Sequence, residues 1–342
     1  DYALQPMQHV WEDGGAYALL GPSGCGKTTL LNIISGLLQP SQGRVMFGER
    51  DVTTLPPEQR NIGQVFQFPV IYDTMSVFDN LAFPLRNRKL GEDYVERRVT
   101  QIAGMLGLED VLKRRAKNLT ADAKQKISLG RGLVREDVAA VLFDEPLTVI
   151  DPHLKWQLRR KLREVHEQLN LTLVYVTHDQ TEALTFADKV VVMLAGQVLQ
   201  VGTPQALFER PEHTFVGYFI GSPGMNFFDC QVEGGEALIE GYRVAVDPAM
   251  AQAAGEAGGL LQLGIRPGLI RTAAAGEKGL TLQVENVEDL GDYELVTGYL
   301  GSQKLHVRLE ESEKIGSDGL EVVFPREHAL LYADDRLVGG GK

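Results

Sequence analysis

A glycine-rich stretch near the start of the chain constrains its fold more than any other feature. GPSGCGKT, residues 21–28, follows the apolar run AYALL (16–20) and precedes an apolar helical pattern over 28–38. The stretch fits G-x-x-x-x-G-K-[ST], a spacing in which glycines let backbone N–H groups turn inward around phosphate oxygens. The strand before the loop and the helix after it predict an α/β domain whose helix N-terminus faces a phosphate.

The pattern assigns a role to each residue of this loop. Lys27 is expected to reach the β- and γ-phosphates, and the Thr28 hydroxyl to ligate Mg²⁺. A glycine-rich turn that merely fits the spacing is the alternative, and the flanking strand and helix patterns argue against it. The predicted phosphate-binding residues are Gly21, Pro22, Ser23, Gly24, Cys25, Gly26, Lys27, Thr28 and Thr29.

Further apolar runs without polar alternation predict buried parallel strands. AVLF (140–143) ends in the acidic pair Asp144-Glu145, and LTLVYV (171–176) leads into His178. Asp144 can hold Mg²⁺ and Glu145 can activate an attacking water. His178 is either a structural histidine or a contact to the terminal phosphate. Since the carboxyl ends of parallel strands open on one edge of a sheet, these side chains are expected beside the phosphate loop.

The remaining sequence divides into regions that differ in composition and in the pattern of apolar residues. Residues 74–135 look all-helical and rich in Arg and Lys, which predicts a helical subdomain inserted in a nucleotide-binding domain spanning 1–234. Short alternating runs punctuated by Gly and Asp predict a small all-β, barrel-like domain at 235–338. Within it, 248–259 is expected to be a low-complexity loop, and the tail 339–342 is expected to be flexible.

Composition excludes several functions. A net charge of −12 argues against a broad nucleic-acid surface, which requires a basic face. No apolar run approaches the ~20 residues of a membrane span, and no secretory signal pattern is visible, so any membrane role is expected to come through a partner. Cys25 and Cys230 lie far apart and predict free thiols in a reducing compartment.

Five motifs in one order resemble those of the ATP-binding subunits of ABC transporters. After the phosphate loop, VFQ ending at Gln67 resembles the Q-loop, and LFDEP resembles the second phosphate motif. LTVID ending at Asp151 resembles the D-loop, and THD the switch histidine. The resemblance is strongest to importer ATPases of carbohydrate, maltose or glycerol-3-phosphate uptake, which carry a C-terminal OB-like (TOBE-type) regulatory domain. LGIRPGLI (263–270) resembles the start of that domain, and LTADAKQKISLGRGL with QFPVIYDTM resembles a subgroup linked to glycerol or glycerol-phosphate uptake.

The resemblance implies an α/β P-loop ATPase that pairs head to tail, with two ATP molecules between the subunits. Each ATP would bind the phosphate loop of one subunit and the signature loop of the other. Glu145 is implied to be the general base, His178 the switch and Asp151 a cross-dimer contact. The implied Mg²⁺ ligands are Thr28, Gln67 and Asp144.

The resemblance also implies partners and a location. The expected partners are a second ATP-binding subunit, two membrane-spanning permeases and, indirectly, a periplasmic or extracellular solute-binding protein. This would place the chain at the cytoplasmic face of the cell membrane. A nucleotide-dependent regulatory subunit with little hydrolysis remains the alternative, and the presence of Glu145 and His178 argues against it. A GTPase would carry an N-K-x-D element, which the sequence lacks.

The signature loop departs from the family pattern L-S-G-G-Q. Asp122 would place a carboxylate near the partner's triphosphate, at a repulsion of roughly 1–4 kcal/mol at 4 Å depending on effective dielectric. Either Thr120 or Asp122 caps the following helix, with the carboxylate turned to its own backbone amides, or the loop is a weakened half-site that pairs with a different ATPase. Both alternatives stay open, with the unequal pair slightly favoured. The aligned loop residues are Leu119, Thr120, Ala121, Asp122 and Ala123.

The adenine contact is the second departure from the family pattern. Members of the family usually carry a stacking aromatic about two dozen residues before the phosphate loop. Tyr2 is the sole nearby candidate, because Trp11 lies too close to the loop. The true stacking residue is therefore expected in a missing N-terminal piece.

Overall fold

The computed structural model describes residues 2–148, 150–274, 276–310 and 319–339. It divides into two compact units, Asp1–Pro204 and Gln205–Lys342. Among the described residues, no helix is both long enough and apolar enough to cross a membrane.

An open sheet forms the centre of the first unit, as the apolar runs predict. Its main sheet has the order β4-β5-β6-β1-β7-β8, in which β8 is antiparallel to β7 and the other neighbours are parallel. Strands β2 and β3 pair separately. The strands are β1 Ala16–Leu20, β2 Met46–Phe47, β3 Arg50–Asp51, β4 Ile62–Val65, β5 Ala140–Asp144, β6 Leu173–Thr177, β7 Lys189–Leu194 and β8 Gln197–Gly202.

Helices fill the connections between these strands. The first begins at Lys27 and ends at Ser35, three residues short of the predicted end, because Gly36 takes a left-handed conformation and caps it. The region 74–135, predicted to be all-helical, contains three helices that pack against one another. The helices of the first unit are α1 Lys27–Ser35, α2 Val77–Arg86, α3 Glu92–Leu106, α4 Ala121–Leu133, α5 Pro152–Leu169 and α6 Gln180–Phe186.

Helix α4 is fixed at both ends. Thr120 caps its start, since its side-chain oxygen accepts from the Ala123 N–H at 3.3 Å. At its other end the buried guanidinium of Arg98 donates to the carbonyls of Leu133 (3.2 Å) and Val134 (2.9 Å), which have no intrahelical partner. Thr120 thus fixes the start of α4, and Arg98 fixes its end.

The second unit is all-β apart from short helices, as predicted. Its sheets have the orders β10-β11-β12, β20-β19-β13-β9 and β14-β18-β15-β16-β17. Its helices are α7 Pro204–Glu209, α8 Thr214–Phe219 and α9 Pro248–Ala257. Its strands are β9 Asn226–Asp229, β10 Gln231–Glu233, β11 Glu236–Ile239, β12 Tyr242–Ala245, β13 Leu261–Ile265, β14 Arg271–Thr272, β15 Leu280–Asp289, β16 Glu294–Leu300, β17 Gln303–Leu309, β18 Leu320–Val323, β19 Leu330–Ala333 and β20 Arg336–Leu337.

Two boundaries in this unit differ from the sequence-based expectation. The units divide after residue 204 rather than after 234, because β9 pairs with β13 and its Phe228 lies in the core of the second unit. The stretch 248–259, expected to be a loop, contains α9, because Asp247 caps it and Met250 packs in that core. In the expected tail, only Gly339 is a described residue.

Candidate nucleotide site

Four adjacent strands of the main sheet deliver the predicted site residues to one edge. In the order β4-β5-β6-β1, these strands are followed by Gln67, by the pair Asp144-Glu145, by His178 and by the phosphate loop. The strands are parallel, so all four carboxyl ends lie on the same side of the sheet. The prediction that the strands before Asp144-Glu145, His178 and the phosphate loop end at one edge is therefore confirmed.

Tight packing shapes the phosphate loop. A side chain at Gly21 would lie 2.3 Å from the Met193 carbonyl, so only glycine fits there. Gly26 has a φ of +104°, which favours glycine, and it precedes the first turn of α1. The ammonium of Lys27 is buried and donates to the loop carbonyls of Gly21 (2.8 Å) and Pro22 (3.0 Å). The cation thus lies inside the loop, where an anion would be attracted to it.

Two oxygen groups meet beside this loop. The Thr28 hydroxyl donates to a carboxylate oxygen of Asp144 at 3.4 Å. Burial, and then the neighbouring charge of Glu145, raises the pKa of Asp144 above its ordinary value. A bound cation would stabilise the charged form of that carboxylate. Hydroxyl and carboxylate oxygens are the ligands that Mg²⁺ prefers, so the donor set fits this ion.

Glu145 lies where it can act on a reacting group. Its Oε2 is 3.2 Å from His178 Nδ1 and accepts from the Thr148 hydroxyl at 3.3 Å. Its backbone has a φ of +47°, a left-handed conformation that is uncommon outside glycine. Its N–H donates to the Val176 carbonyl at 3.0 Å, which ties the strained turn to the end of β6.

A buried network holds the turn that carries His178. Asp179 caps α6 by accepting from the N–H groups of Thr181 and Glu182. The Glu182 carboxylate accepts from the hydroxyls of Tyr175 (3.0 Å) and Thr177 (2.9 Å). Burial, reinforced by Glu182, raises the pKa of Tyr175 well above its ordinary value, so this phenol remains a donor. The His178 side chain itself is about half exposed and faces Glu145 from this fixed turn.

The predicted signature loop and D-loop line one surface recess of about 500 Å³. Asp151 caps α5 by accepting from the His153 N–H at 2.9 Å. The lining residues are Thr120, Ala121, Asp122, Thr148, Ile150, Asp151 and Leu154. One opening in the first unit is therefore bordered by both loops.

Asp122 has a different partner from the one expected of a capping carboxylate. Thr120 is the cap, which confirms one of the two capping possibilities. The Asp122 carboxylate instead forms an ion pair of 2.8 Å with Lys126, one turn further along α4, where both side chains are about three-quarters buried. Asp122 also lies in the first turn of the helix, where the helix dipole favours a negative charge. Its charge is thus partly balanced before any nucleotide approaches.

Comparison with known proteins decides the family. A pattern described as "ABC transporter" matches residues 4–148, and one described as "MalK OB fold domain" matches 221–268. The sn-glycerol-3-phosphate import ATP-binding protein UgpC of Chromobacterium violaceum is 40% identical over 336 residues, which is 96% of this chain and 89% of that protein. The chain belongs to the ABC transporter family. It is an ATP-binding subunit of that family, an ATPase.

Other relatives of this ABC ATPase agree. The protein of the same name from Chromohalobacter salexigens is 43% identical over 293 residues, covering 84% of this chain and 78% of that one. Among solved structures, that of cbiO1 from Clostridium perfringens, described as part of the ABC transporter complex cbiONQ, is similar with a TM-score of 0.57 and 29% identity. It covers 61% of this chain and 84% of that chain.

Two predicted contacts of the ABC ATPase remain predictions. Gln67 follows β4 and is half-buried, which is compatible with a place near the metal. The Tyr2 side chain is 63% exposed. The Ala3 carbonyl lies 2.9 Å from the position that a side chain at Gly26 would occupy, so the N-terminal segment passes beside the phosphate loop. Tyr2 is accordingly close in sequence to a segment that borders the site.

Sequence reasoning missed two polar side chains of the site. Thr148 lies within the LTVID motif and contacts Glu145, and its spacing of three residues after a glutamate in a turn was the available signal. Gln125 lies in α4 and donates to the Pro146 carbonyl at 2.6 Å, directly beside Glu145. Nothing in the sequence alone connects Gln125 with Pro146, because the contact depends on how α4 packs.

Proposed function

We propose that this chain is the ATP-hydrolysing subunit of an ABC importer and works at a head-to-tail dimer interface. The observation that carries this proposal is the pairing of Glu145 with His178 at 3.2 Å, on the strand ends beside the phosphate loop. A carboxylate and an imidazole so placed can take a proton from an attacking water and hold it near the terminal phosphate.

Each part of the site has a task in this mechanism. Lys27 and the backbone N–H groups of the phosphate loop other than Pro22 bind the phosphates, while Thr28, Gln67 and Asp144 would hold Mg²⁺. When bound, that ion would neutralise charge on the phosphate oxygens. Glu145 accepts the water proton, and Thr148 and His178 both contact its Oε2 and orient the carboxylate. His178 is the group expected to contact the γ-phosphate.

The second nucleotide contact is proposed to come from the partner subunit. The recess lined by Thr120, Asp122 and Asp151 would face the ATP held by the partner's phosphate loop. Because Asp122 places a carboxylate where the family pattern has glycine, we propose that this subunit pairs with a second, different ATPase in preference to itself. The pair Asp122–Lys126 limits the repulsion without removing it.

The proposed solute is a small polar one: a carbohydrate, glycerol or sn-glycerol-3-phosphate. Support comes from the relatives, which are named for import of sn-glycerol-3-phosphate. Two permeases and an external solute-binding protein would complete the transporter, with this chain at the cytoplasmic face of the membrane. Exposed apolar side chains lie within the Q-loop and just after it, a surface suited to a permease contact: Phe66, Phe68, Val70 and Tyr72.

Substitution of Glu145 by Gln tests the catalytic assignment. We expect ATP hydrolysis to fall by about 100-fold or more, as is typical when a general base is removed, while nucleotide binding is retained. Steady-state phosphate release and nucleotide titration measure the two. Glu96→Gln, at an exposed position of α3, is the control. If the parent hydrolyses ATP no faster than Glu145→Gln, the alternative of a regulatory subunit with little hydrolysis is supported instead.

A further inference from the structure

We infer that Gln125 is a positioning residue for Glu145, and that through it the signature helix α4 controls the general base of its own subunit. The inference rests on the proposed function, because it takes Glu145 to be that base. Gln125 is completely buried, and its Nε2 donates to the Pro146 carbonyl at 2.6 Å. Pro146 directly follows Glu145, so the bond fixes the carbonyl of the residue next to the base.

The turn at Glu145 needs such an anchor. Its left-handed backbone costs of order 1–3 kcal/mol and persists only where the surroundings enforce it. Two bonds flank the strained residue: Glu145 N–H to the Val176 carbonyl, and Pro146 carbonyl to Gln125. Proline has no N–H, so its carbonyl is the one backbone polar group through which Pro146 can be held. The first bond ties the turn to β6 and the second ties it to α4.

The hydrogen bonding of Gln125 indicates that it serves more than stability. A carbonyl can only accept, so the amide nitrogen must face Pro146 and the amide oxygen points elsewhere. That oxygen is buried and has no partner among the residues that the structure describes. A buried unpaired oxygen costs about 1–3 kcal/mol. An apolar side chain of the same length would remove the unpaired amide oxygen but would leave the Pro146 carbonyl oxygen unpaired. The two penalties are similar, so the free energy of unfolding would change little.

Helix α4 connects this contact with the signature loop. Gln125 lies five residues after the cap Thr120, which is about 7.5 Å along the helix axis. Thr120 borders the recess proposed to face the partner's ATP. A shift of α4 on engagement of that nucleotide would therefore be carried to the turn of Glu145 by a single rigid element. Binding of the partner's ATP at the signature loop would thus affect the general base that acts on this subunit's own ATP.

Substitution of Gln125 by Met in the full chain tests the inference. We expect kcat for ATP hydrolysis to fall about 10- to 100-fold, because a small displacement of the base is costly to the rate. KM and nucleotide affinity should stay within about twofold, and the midpoint of thermal unfolding should change little. Gln168→Met, at an exposed position of α5, is the matched control. Should the Met variant fail to fold, Gln125→Asn keeps the amide on a stem too short to reach Pro146 and is measured in its place.

A double variant separates a positioning role from a structural one. If Gln125 acts through Glu145, adding Gln125→Met to Glu145→Gln should cause no further loss of the residual hydrolysis. A folded Gln125 variant with the parent's kcat, or a loss that persists in the Glu145→Gln background, overturns the inference. The proposed function is decided separately, by Glu145→Gln alone.

Discussion

At the scale of single residues, Asp122 shows how a neighbouring side chain can offset a charge that departs from a family motif. The carboxylate replaces a glycine of the family pattern, yet Lys126 lies 2.8 Å from it and balances part of its charge. Both residues lie on α4, and Asp122 borders the recess shared with Asp151. The site therefore carries a local ion pair rather than an isolated negative charge.

Replacement of Asp122 by Asn should increase ATP hydrolysis by paired copies of this chain. Removal of the carboxylate removes a repulsion of about 1 kcal/mol or more at 4 Å and leaves Lys126 to attract phosphate, so we expect a rise of about fivefold in kcat/KM. Asp93→Asn is a matched control, because Asp93 is also the second residue of a helix and is exposed. An unchanged or reduced rate would show that Asp122 does not weaken the partner's site.

The sequence predicts the location of some candidate site residues more readily than that of others. Asp144, Glu145 and His178 follow apolar runs, and the parallel sheet brings such strand ends together whatever the details of packing. Thr148 contacts Glu145, and Gln125 contacts the adjacent Pro146, only because α4 and the turn after β5 adopt one particular arrangement. The ion pair of Asp122 could have been read from its spacing of four residues to Lys126.

At the scale of elements, α4 contacts the segment after the Q-loop along one face. Lys124, Ser128 and Arg131 lie at intervals of four and three residues, which align on a helix. Lys124 pairs with Asp73 at 3.4 Å, and the Ser128 hydroxyl accepts from the Val70 N–H at 3.4 Å.

Arg131 makes the strongest of these contacts. It donates to the Val70 carbonyl at 2.7 Å, and its guanidinium lies 4.6 Å from the centre of the Tyr72 ring. The helix that carries the signature loop thus also holds the proposed permease-facing segment.

Substitution of Arg131 by Lys should loosen that segment selectively. Lysine lacks the planar guanidinium, which can stack on the Tyr72 ring and donate to the Val70 carbonyl at the same time. We expect faster hydrogen exchange at the amides of residues 68–73, by several-fold, with little change at the start of α4. Arg160→Lys, at an exposed position of α5, serves as the control. Equal exchange in the variant and the parent would contradict a clasping role for Arg131.

Helix α9 shows the limit of composition as a guide to elements. Its alanine- and glycine-rich stretch favoured a loop, but Asp247 accepts from the N–H groups of Ala249 and Met250 and starts a helix at Pro248. Met250 and Ala254 are then buried on one face. The cap Asp-Pro was visible in the sequence, whereas the surface that covers this face was not.

At the scale of the whole molecule, the position of the division between units was the least predictable feature. The pattern of apolar residues changes near residue 235. Strand β9 at Asn226–Asp229 nevertheless belongs to the second unit, since it pairs with β13. A strand that joins a sheet formed mainly by later residues leaves no local signal of its membership.

A chain shortened to residues 1–204 should therefore aggregate less than one shortened to 1–234. The longer piece retains Met225 and Phe228, which are buried in the second unit, without the strand that covers them. We expect it to bind a hydrophobic dye and to aggregate, while 1–204 unfolds in one cooperative transition. Size-exclusion chromatography and dye fluorescence make the comparison. Identical behaviour of the two pieces would place the division nearer to residue 234.

The left-handed backbone of Glu145 has a consequence for directed evolution of this protein. Glycine or asparagine would adopt that conformation at lower cost, and neither could act as the base. A screen that rewards thermal resistance alone would therefore drift towards inactive sequences at this position. Any search for more thermostable variants should select for ATP turnover at the same time, or leave residue 145 unmutated.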